Sequence, residues 1–339
     1  MNVCLLTRFF DFRGTGVSRI ATEVKTELER MGHFVHPIST NGTNLYTYFW
    51  YTGVQIPCRL PRRNVDVYHA LATLEAMWLP RHKSVATFLD LFTTTNPERA
   101  GSGMGYNKLK LAIGRWYFDL GSKLAVRCRF LTCISDKTKQ DMIQFLHIPE
   151  SKIHTIHLGI PNDLEPQPRK HSRFIIGTLG QLDKRKRVDL LIRQFKASRI
   201  DADLVIAGQG MDYPLLKELA DEDPRIRFLG LVPNEKLCEF YNSLDLFVFP
   251  TFLEGWGLPP VEAMACEKPV VIMDDAIMPH EVRSRCVSVE NLTPMFDDYG
   301  FLSSAIASVD YTANYQWAKS HTWQKCVEQY TQLYRQCQD

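Results

Sequence analysis

The sequence has no apolar run long enough to cross a bilayer, no cysteines at CxxC spacing, no low-complexity tract and no repeat beyond a recurring strand-and-helix rhythm. Charge of one sign is lacking too. Forty Lys and Arg against 38 Asp and Glu leave a formal net charge of +2. That is too little to argue for a nucleic-acid partner, and it does not oppose contact with anionic lipid. The nine cysteines are odd in number and spread through apolar runs, which reads as reduced thiols in a cytosolic setting. The opening MNVCLLT is too short for a signal-peptide core and reads as a first strand.

What remains is the balance of a globular enzyme, 45% apolar and 23% charged, over 339 residues, more than one core usually supports. NVCLLT, HFVHPI, VDVYHAL, SVATFL, RFLTCI and KIHTIHL read as strands separated by helical patterns, with Ser135 placed to cap DKTKQDMIQFL. After the proline-rich and charged residues 161–173 the rhythm restarts with RFIIGTLG, DADLVIAGQG, IRFLGLV, LDLFVFPT and PVVIMDD. Connections of a dozen or more residues predict parallel sheets covered on both faces. The expectation is therefore two doubly wound α/β domains, 1–165 and 172–312, and one aromatic-rich helix within 313–339 that packs back on the first. Ligands should lie beyond the carboxyl ends of the strands, in a cleft between the domains.

The densest constellation is FLEGWGLPPVEAM, residues 252–264. Glu254 and Glu262 flank a turn of Gly255, Trp256 and Gly257 that sits between apolar runs. The glycines let the backbone pass close to a ligand, and Pro259 and Pro260 suit the first turn of a helix. The N–H groups from Gly255 to Leu258, backed by the helix dipole, would suit a phosphate. Glu262, expected in the first helical turn, could accept hydrogen bonds from a ribose diol, and Glu254 could face another hydroxylated group. The same spacing also fits a Glu262 that only complements the dipole and a solvated Glu254.

Residues 254–266, EGWGLPPVEAMAC, resemble the E-x7-E signature of the family-4 retaining glycosyltransferases of GT-B fold. Phe249-Pro250-Thr251 before the run and Pro269-Val270-Val271 after it fit the same pattern. Gly180-Gln181-Leu182 followed by Lys186 is similar to the family's G-R-L loop with its diphosphate-binding lysine. Gln181 stands where arginine is usual, so a second cation would have to come from Lys184 or Arg185. Ala207-Gly208-Gln209-Gly210 and Leu229-Gly230-Leu231-Val232 resemble two more loops of the same edge, and the second implies base recognition by backbone near Val232, with Asn234 close by. Simple turn chemistry explains both loops equally well. In the first half, Arg13-Gly14-Thr15-Gly16-Val17 resembles the family's glycine loop toward donor diphosphate and sugar. Arg19 replaces the third glycine of a dinucleotide fingerprint, which disfavours a dehydrogenase. His69 and Asp90 match positions that line the acceptor and sugar site in relatives, with Leu89 where a histidine often precedes the aspartate.

The resemblance implies a GT-B fold, two Rossmann-like doubly wound parallel-sheet domains facing an interdomain cleft, with acceptor on the first and nucleotide sugar on the second. It implies a retaining, metal-independent hexosyltransferase with no cofactor besides its UDP- or GDP-hexose substrate, and a glycan or lipid-linked glycan acceptor. Glu254, Lys186, His69 and Asp90 would be catalytic. Gly14, Gly16, Gln181, Arg185, Lys186, Gly208, Val232, Gly255, Trp256, Gly257, Leu258 and Glu262 would hold the donor. A cytoplasmic protein is expected, either free or in peripheral contact with the cytoplasmic face of a membrane. Rivals are a sugar-nucleotide 2-epimerase of the same fold, a phosphorylase, and a degenerate transferase kept as a scaffold, for which Gln181 and Leu89 speak. Asp201-Ala202-Asp203 spells the metal-binding DxD of the other large glycosyltransferase fold, but it opens a strand and reads as a turn. Neither His154 with His157 nor Cys128 with Cys133 has zinc spacing, and no metal is expected. Residues 106–129 mix basic and aromatic residues and would rest on an anionic membrane or form an ordinary solvated helix face.

Overall fold

A computed structural model describes the chain except for residues 11–15, 41, 43–44, 97–107, 169–172 and 339. It folds as two compact units: Met1–Gly159 with Trp323–Asp339, and Ile160–Thr322. Each is built on a six-stranded parallel sheet. The first holds β1 (Asn2–Leu6), β2 (Phe34–Ile38), β3 (Val67–Ala70), β4 (Ser84–Phe88), β5 (Phe130–Cys133) and β6 (Ile153–Thr155), in the order β2-β1-β3-β4-β5-β6. The second holds β7 (Phe174–Leu179), β8 (Ala202–Ala207), β9 (Ile226–Gly230), β10 (Leu246–Phe249), β11 (Val270–Met273) and β12 (Val287–Val289), in the order β12-β11-β10-β7-β8-β9.

The central strands are buried throughout because helices cover both faces; every residue of β3, β4, β10 and β11 is buried, His69, Ser84 and Thr87 included. Ile20, Ala21, Val24 and Leu28 repeat at helical spacing and bury one face of the helix Gly16–Arg30. The Ser135 Oγ accepts from the Thr138 N–H at 3.1 Å and starts the helix Asp136–Leu146, as its position predicts.

Three features differ from the sequence reading. β12 has only three residues and no alternating pattern, so periodicity misses it. The C-terminal segment is two helices, Tyr311–Lys319 and Trp323–Gln336. Between them the chain turns aside: Ile160 N–H donates to the His321 carbonyl at 3.0 Å and Ile160 bridges Thr322 in parallel. The proline-rich stretch is also tied into the second unit rather than left as a free linker. Asn242 Oδ1 accepts from Gln167 N–H, its amide donates to the Glu165 carbonyl, and Lys319 Nζ reaches the carbonyls of Asn162 and Leu164. Polar composition here reflects bonding to side chains far along the chain, so the units divide at 159/160, just before the prolines.

Candidate active site

The second unit brings four of the expected residues to the carboxyl ends of β7 and β10. After β7 the chain runs through Gly180 and Gln181 into the turn Lys184–Lys186, where the Asp183 side chain accepts from the Lys186 N–H at 3.2 Å. After β10 it runs through Thr251 to Glu254. The two stretches are joined by backbone, Phe252 N–H to the Arg185 carbonyl at 2.9 Å. Arg187, forced into the left-handed region at φ 50°, reaches the Pro250 carbonyl and both oxygens of Asp275.

One carboxylate oxygen is the hub. Glu254 Oε1 is paired with the Lys186 ammonium and accepts from Arg185 Nη1 at 3.2 Å and from Thr251 Oγ1 at 2.9 Å. The ammonium also lies 4.8 Å from the centre of the Phe249 ring. Lys186 and Glu254 are only 8% and 9% exposed. Burial raises the Glu254 carboxyl, but the charges of Lys186 and Arg185 outweigh it and hold the group below the usual carboxylate range. Burial also pulls the Lys186 ammonium below its ordinary value, against the pull of Glu254. Arg185 is thus a second cation, beside Lys186, on the same carboxylate oxygen. Thr251 is the residue sequence reasoning missed; only its place beside the motif hinted at it.

The loop after Glu254 is narrower in its chemistry than its sequence suggests. Gly257 takes a left-handed φ of 98° as N-cap of the helix Leu258–Ala265. Pro259 and Pro260 follow without N–H groups, so of the first three helical residues only Leu258 keeps a backbone donor. The Trp256 indole is turned inward, 2% exposed, against the rings of Trp317 and His321, so that side chain packs and does not face a ligand. Glu262 is the fifth residue of the helix, not in its first turn, and is fully buried with Oε2 accepting from the Tyr241 hydroxyl at 2.7 Å. Reaching a ribose requires its cover to move.

Gly208 and Gly210 have a packing reason to be glycine. A Cβ on Gly208 would lie 1.8 Å from the Gly180 carbonyl oxygen, and one on Gly210 would lie 2.1 Å from that of Leu182. The loops after β7 and β8 therefore touch backbone to backbone. Val232 is half-buried in the loop after β9. Asp201 and Asp203 pair with Arg173, and Asp203 also with Arg227. That fits a turn rather than a metal site.

The remaining candidates belong to the first unit. Gly14 lies outside the described residues. Gly16 is the exposed first residue of its helix, and Asp90 is exposed just past β4 with Oδ1 accepting from the Phe92 N–H. His69 is a correction. It is 0% exposed, with Nδ1 2.6 Å from the Tyr334 hydroxyl and Nε2 2.7 Å from Thr87 Oγ1, so neither nitrogen can serve a substrate. Burial lowers its pKa to about 3. Unfolding frees the ring to take a proton near its ordinary 6.5, so this contribution to stability is complete above that value and lost as pH falls toward 3. Unfolding free energies from urea titrations between pH 7 and pH 4 are expected to fall by up to ~1.4 kcal/mol per pH unit from this group, and the His69→Gln variant to lose that part of the slope.

Residues 160–286 match the family model described as Glycosyl transferases group 1, within the second unit and over the whole Lys186–Glu254–Glu262 constellation. The second unit carries this family's domain. The chain is 25% identical over 236 residues to the O-antigen chain mannosyltransferase B of Escherichia coli, covering 61% of this chain and 60% of that one. It is 28% identical to the capsular polysaccharide biosynthesis glycosyltransferase CapM of Staphylococcus aureus, covering 70% of each. The whole chain shares the fold of sucrose-phosphate synthase from Thermosynechococcus elongatus, with a TM-score of 0.79 at 13% identity over 99% of this chain and 98% of that one. Anabaena HepE in complex with UDP and glucose gives 0.68 at 15% identity over 99% and 100%. The architecture is GT-B.

Proposed function

We propose that the protein is a retaining hexosyltransferase that moves a sugar from a nucleoside diphosphate to a hydroxyl of a glycan or lipid-linked glycan. The observation that carries the reading is the buried Lys186–Glu254 pair, set where β7 and β10 end and beside the glycine loop that leads into the helix Leu258–Ala265. As the sugar–phosphate bond breaks, negative charge grows on the leaving β-phosphate while the sugar becomes oxocarbenium-like. Lys186 and Arg185 stabilise the first charge, joined by the backbone of Gly255–Leu258 and the helix dipole. Glu254, relieved of part of its pairing when the lysine turns to phosphate, accepts from hydroxyls of the transferred sugar. Cationic side chains thus do what a divalent ion does in other transferases, which supports metal independence. Glu254 Oε1 is engaged by Lys186, Arg185 and Thr251, which is compatible with front-face transfer, in which a donor phosphate oxygen takes the acceptor proton.

The similarity to an O-antigen chain mannosyltransferase and to a glycosyltransferase of capsular polysaccharide biosynthesis supports a polysaccharide or lipid-linked acceptor. No helix among the described residues is long and apolar enough to cross a membrane. Leu109, Ile113 and Trp116 are exposed at i, i+4 and i+7 on the helix Lys108–Ala125, which supports work at a membrane's cytoplasmic face.

Thermal unfolding with UDP, GDP and ADP, followed by turnover of the matching sugar nucleotides with and without EDTA, tests the proposal. One nucleotide is expected to raise the midpoint, and its sugar derivative to be turned over equally with chelator present. No stabilisation by any nucleotide sinks the donor reading, and release of a free epimer identifies the epimerase instead. Glu262→Gln is expected to weaken nucleotide binding about ten- to a hundred-fold, the loss of one charged hydrogen bond. Calorimetric titration checks it, and unchanged affinity removes Glu262 from the site.

A further inference from the structure

The carboxyl end of β2 opens onto a polar cavity of about 450 Å³, within the first unit, to which nothing above assigns a role. Ser39 and Thr40 follow the strand directly. Thr47 and Trp50 come from the helix Leu45–Trp50, Gln55 from the π-helical turn Tyr51–Gln55, and Arg59 from the short helix Ile56–Arg59. The wall is fixed from behind. The buried Tyr51 hydroxyl bonds the carbonyls of Thr7 and Ile38, both at 2.8 Å, and Thr52 Oγ1 meets the Tyr117 hydroxyl at 2.7 Å.

Arg59 is held across the cavity by Nη1 donating to the Ser39 carbonyl at 2.9 Å, which leaves the rest of its guanidinium fork exposed. Among the described residues it has no acidic partner. Trp50 is 52% exposed. The lining thus combines one flat aromatic face, three hydroxyls, one amide and one cation. Among the described residues no carboxylate lines it, which disfavours a metal ion. The polar majority disfavours an apolar ligand. A pyranose has the complementary character, C–H groups on one face and hydroxyls at the rim. A guanidinium fork selects a carboxylate or phosphate by paired hydrogen bonds. The volume is in the range of small-molecule sites, and the place beyond a parallel strand's carboxyl end is where ligands of such sheets sit.

We propose that this cavity binds an acidic sugar unit of the acceptor, with its ring against Trp50 and its carboxylate or phosphate on Arg59. The proposal rests on the glycosyl-acceptor reading above and gives it a substrate class: an anionic glycan.

The test is a titration of the full chain labelled with ¹⁵N at tryptophan indoles, the Trp50 signal being assigned by its loss in Trp50→Phe. Glucuronate, glucose 6-phosphate, glucose and inorganic phosphate are the probes. At least one acidic sugar is expected to move the Trp50 signal saturably, with glucose and inorganic phosphate each at least about ten-fold weaker. The stronger of the two acidic sugars tells carboxylate from phosphate. Arg59→Gln is expected to weaken the acidic sugar about ten-fold or more, with Arg59→Lys between it and the parent. Both variants are to keep their unfolding midpoints and their stabilisation by donor nucleotide. Equal affinity for glucose, equal affinity for inorganic phosphate, no saturable shift, or indifference to Arg59→Gln each overturns the proposal. Acidic sugar binding without nucleotide stabilisation leaves this site standing and fails the donor reading, while the reverse fails only this site.

Discussion

Replacing Lys186 by methionine is expected to lower kcat/KM by about 10²- to 10³-fold, the usual cost of removing one donor aimed at charge that develops in the transition state. The same change leaves the Glu254 carboxylate buried at 9% exposure without its closest cation. Breaking a buried pair on one side costs about 3–5 kcal/mol, and the lower end applies because Arg185 and Thr251 still donate to the same oxygen. A unit of this size loses roughly 2–4 °C in Tm for each kcal/mol. Activity and stability therefore fall together in the single variant. The double variant Lys186→Met with Glu254→Gln separates them, since it removes both charges and is expected to regain most of the midpoint and none of the turnover. Thermal unfolding and steady-state kinetics on the three proteins decide the matter. A Lys186→Met enzyme within about three-fold of the parent in kcat/KM would leave the mechanism without its main electrostatic element.

The second large effect is expected from Gly208→Ala, a single methyl group. Gly208 sits at φ 122°, where side chains are strained, and its added Cβ would fall 1.8 Å from the carbonyl oxygen of Gly180. That neighbour is backbone, held by Gly180 N–H to the Ala207 carbonyl at 3.2 Å, and Gly208 N–H itself donates to the Gly230 carbonyl at 2.7 Å. No rotamer change relieves the contact. The loops after β7 and β8 must part, at a cost of about 3 kcal/mol or more. Because the β7 loop leads to Lys186, nucleotide affinity should fall as well. Gly16→Ala is the matched control: among the described residues nothing lies within 4 Å of its ideal Cβ, and it begins a helix. It is expected to keep or slightly raise stability, by up to ~1 kcal/mol. Equal midpoints for the two variants in urea would refute the close-approach argument.

Much of the fold was legible because its signal is local. Eleven strands announced themselves as short apolar runs between helical patterns, and the parallel order followed from connection lengths. β12 did not, since three residues carry too little periodicity. The break at 320–322 was hidden for a different reason. It is made by pairing with Ile160, some 160 residues earlier, and no local propensity reports that.

The candidate site divides along the same line. Sequence alone determined which residues stand at strand ends and around the glycine turn, because spacing fixes position along the backbone. Only tertiary structure decided where side chains point and what they meet. It joined Lys186 to Glu254 across 68 residues and Tyr241 to Glu262 across 21, and it turned Trp256 inward onto Trp317. It also took His69 out of the chemistry by closing Tyr334, 265 residues away, over its ring. Burial and pairing arise from contacts between distant segments, and a one-dimensional pattern carries no information on them until the sheets have formed.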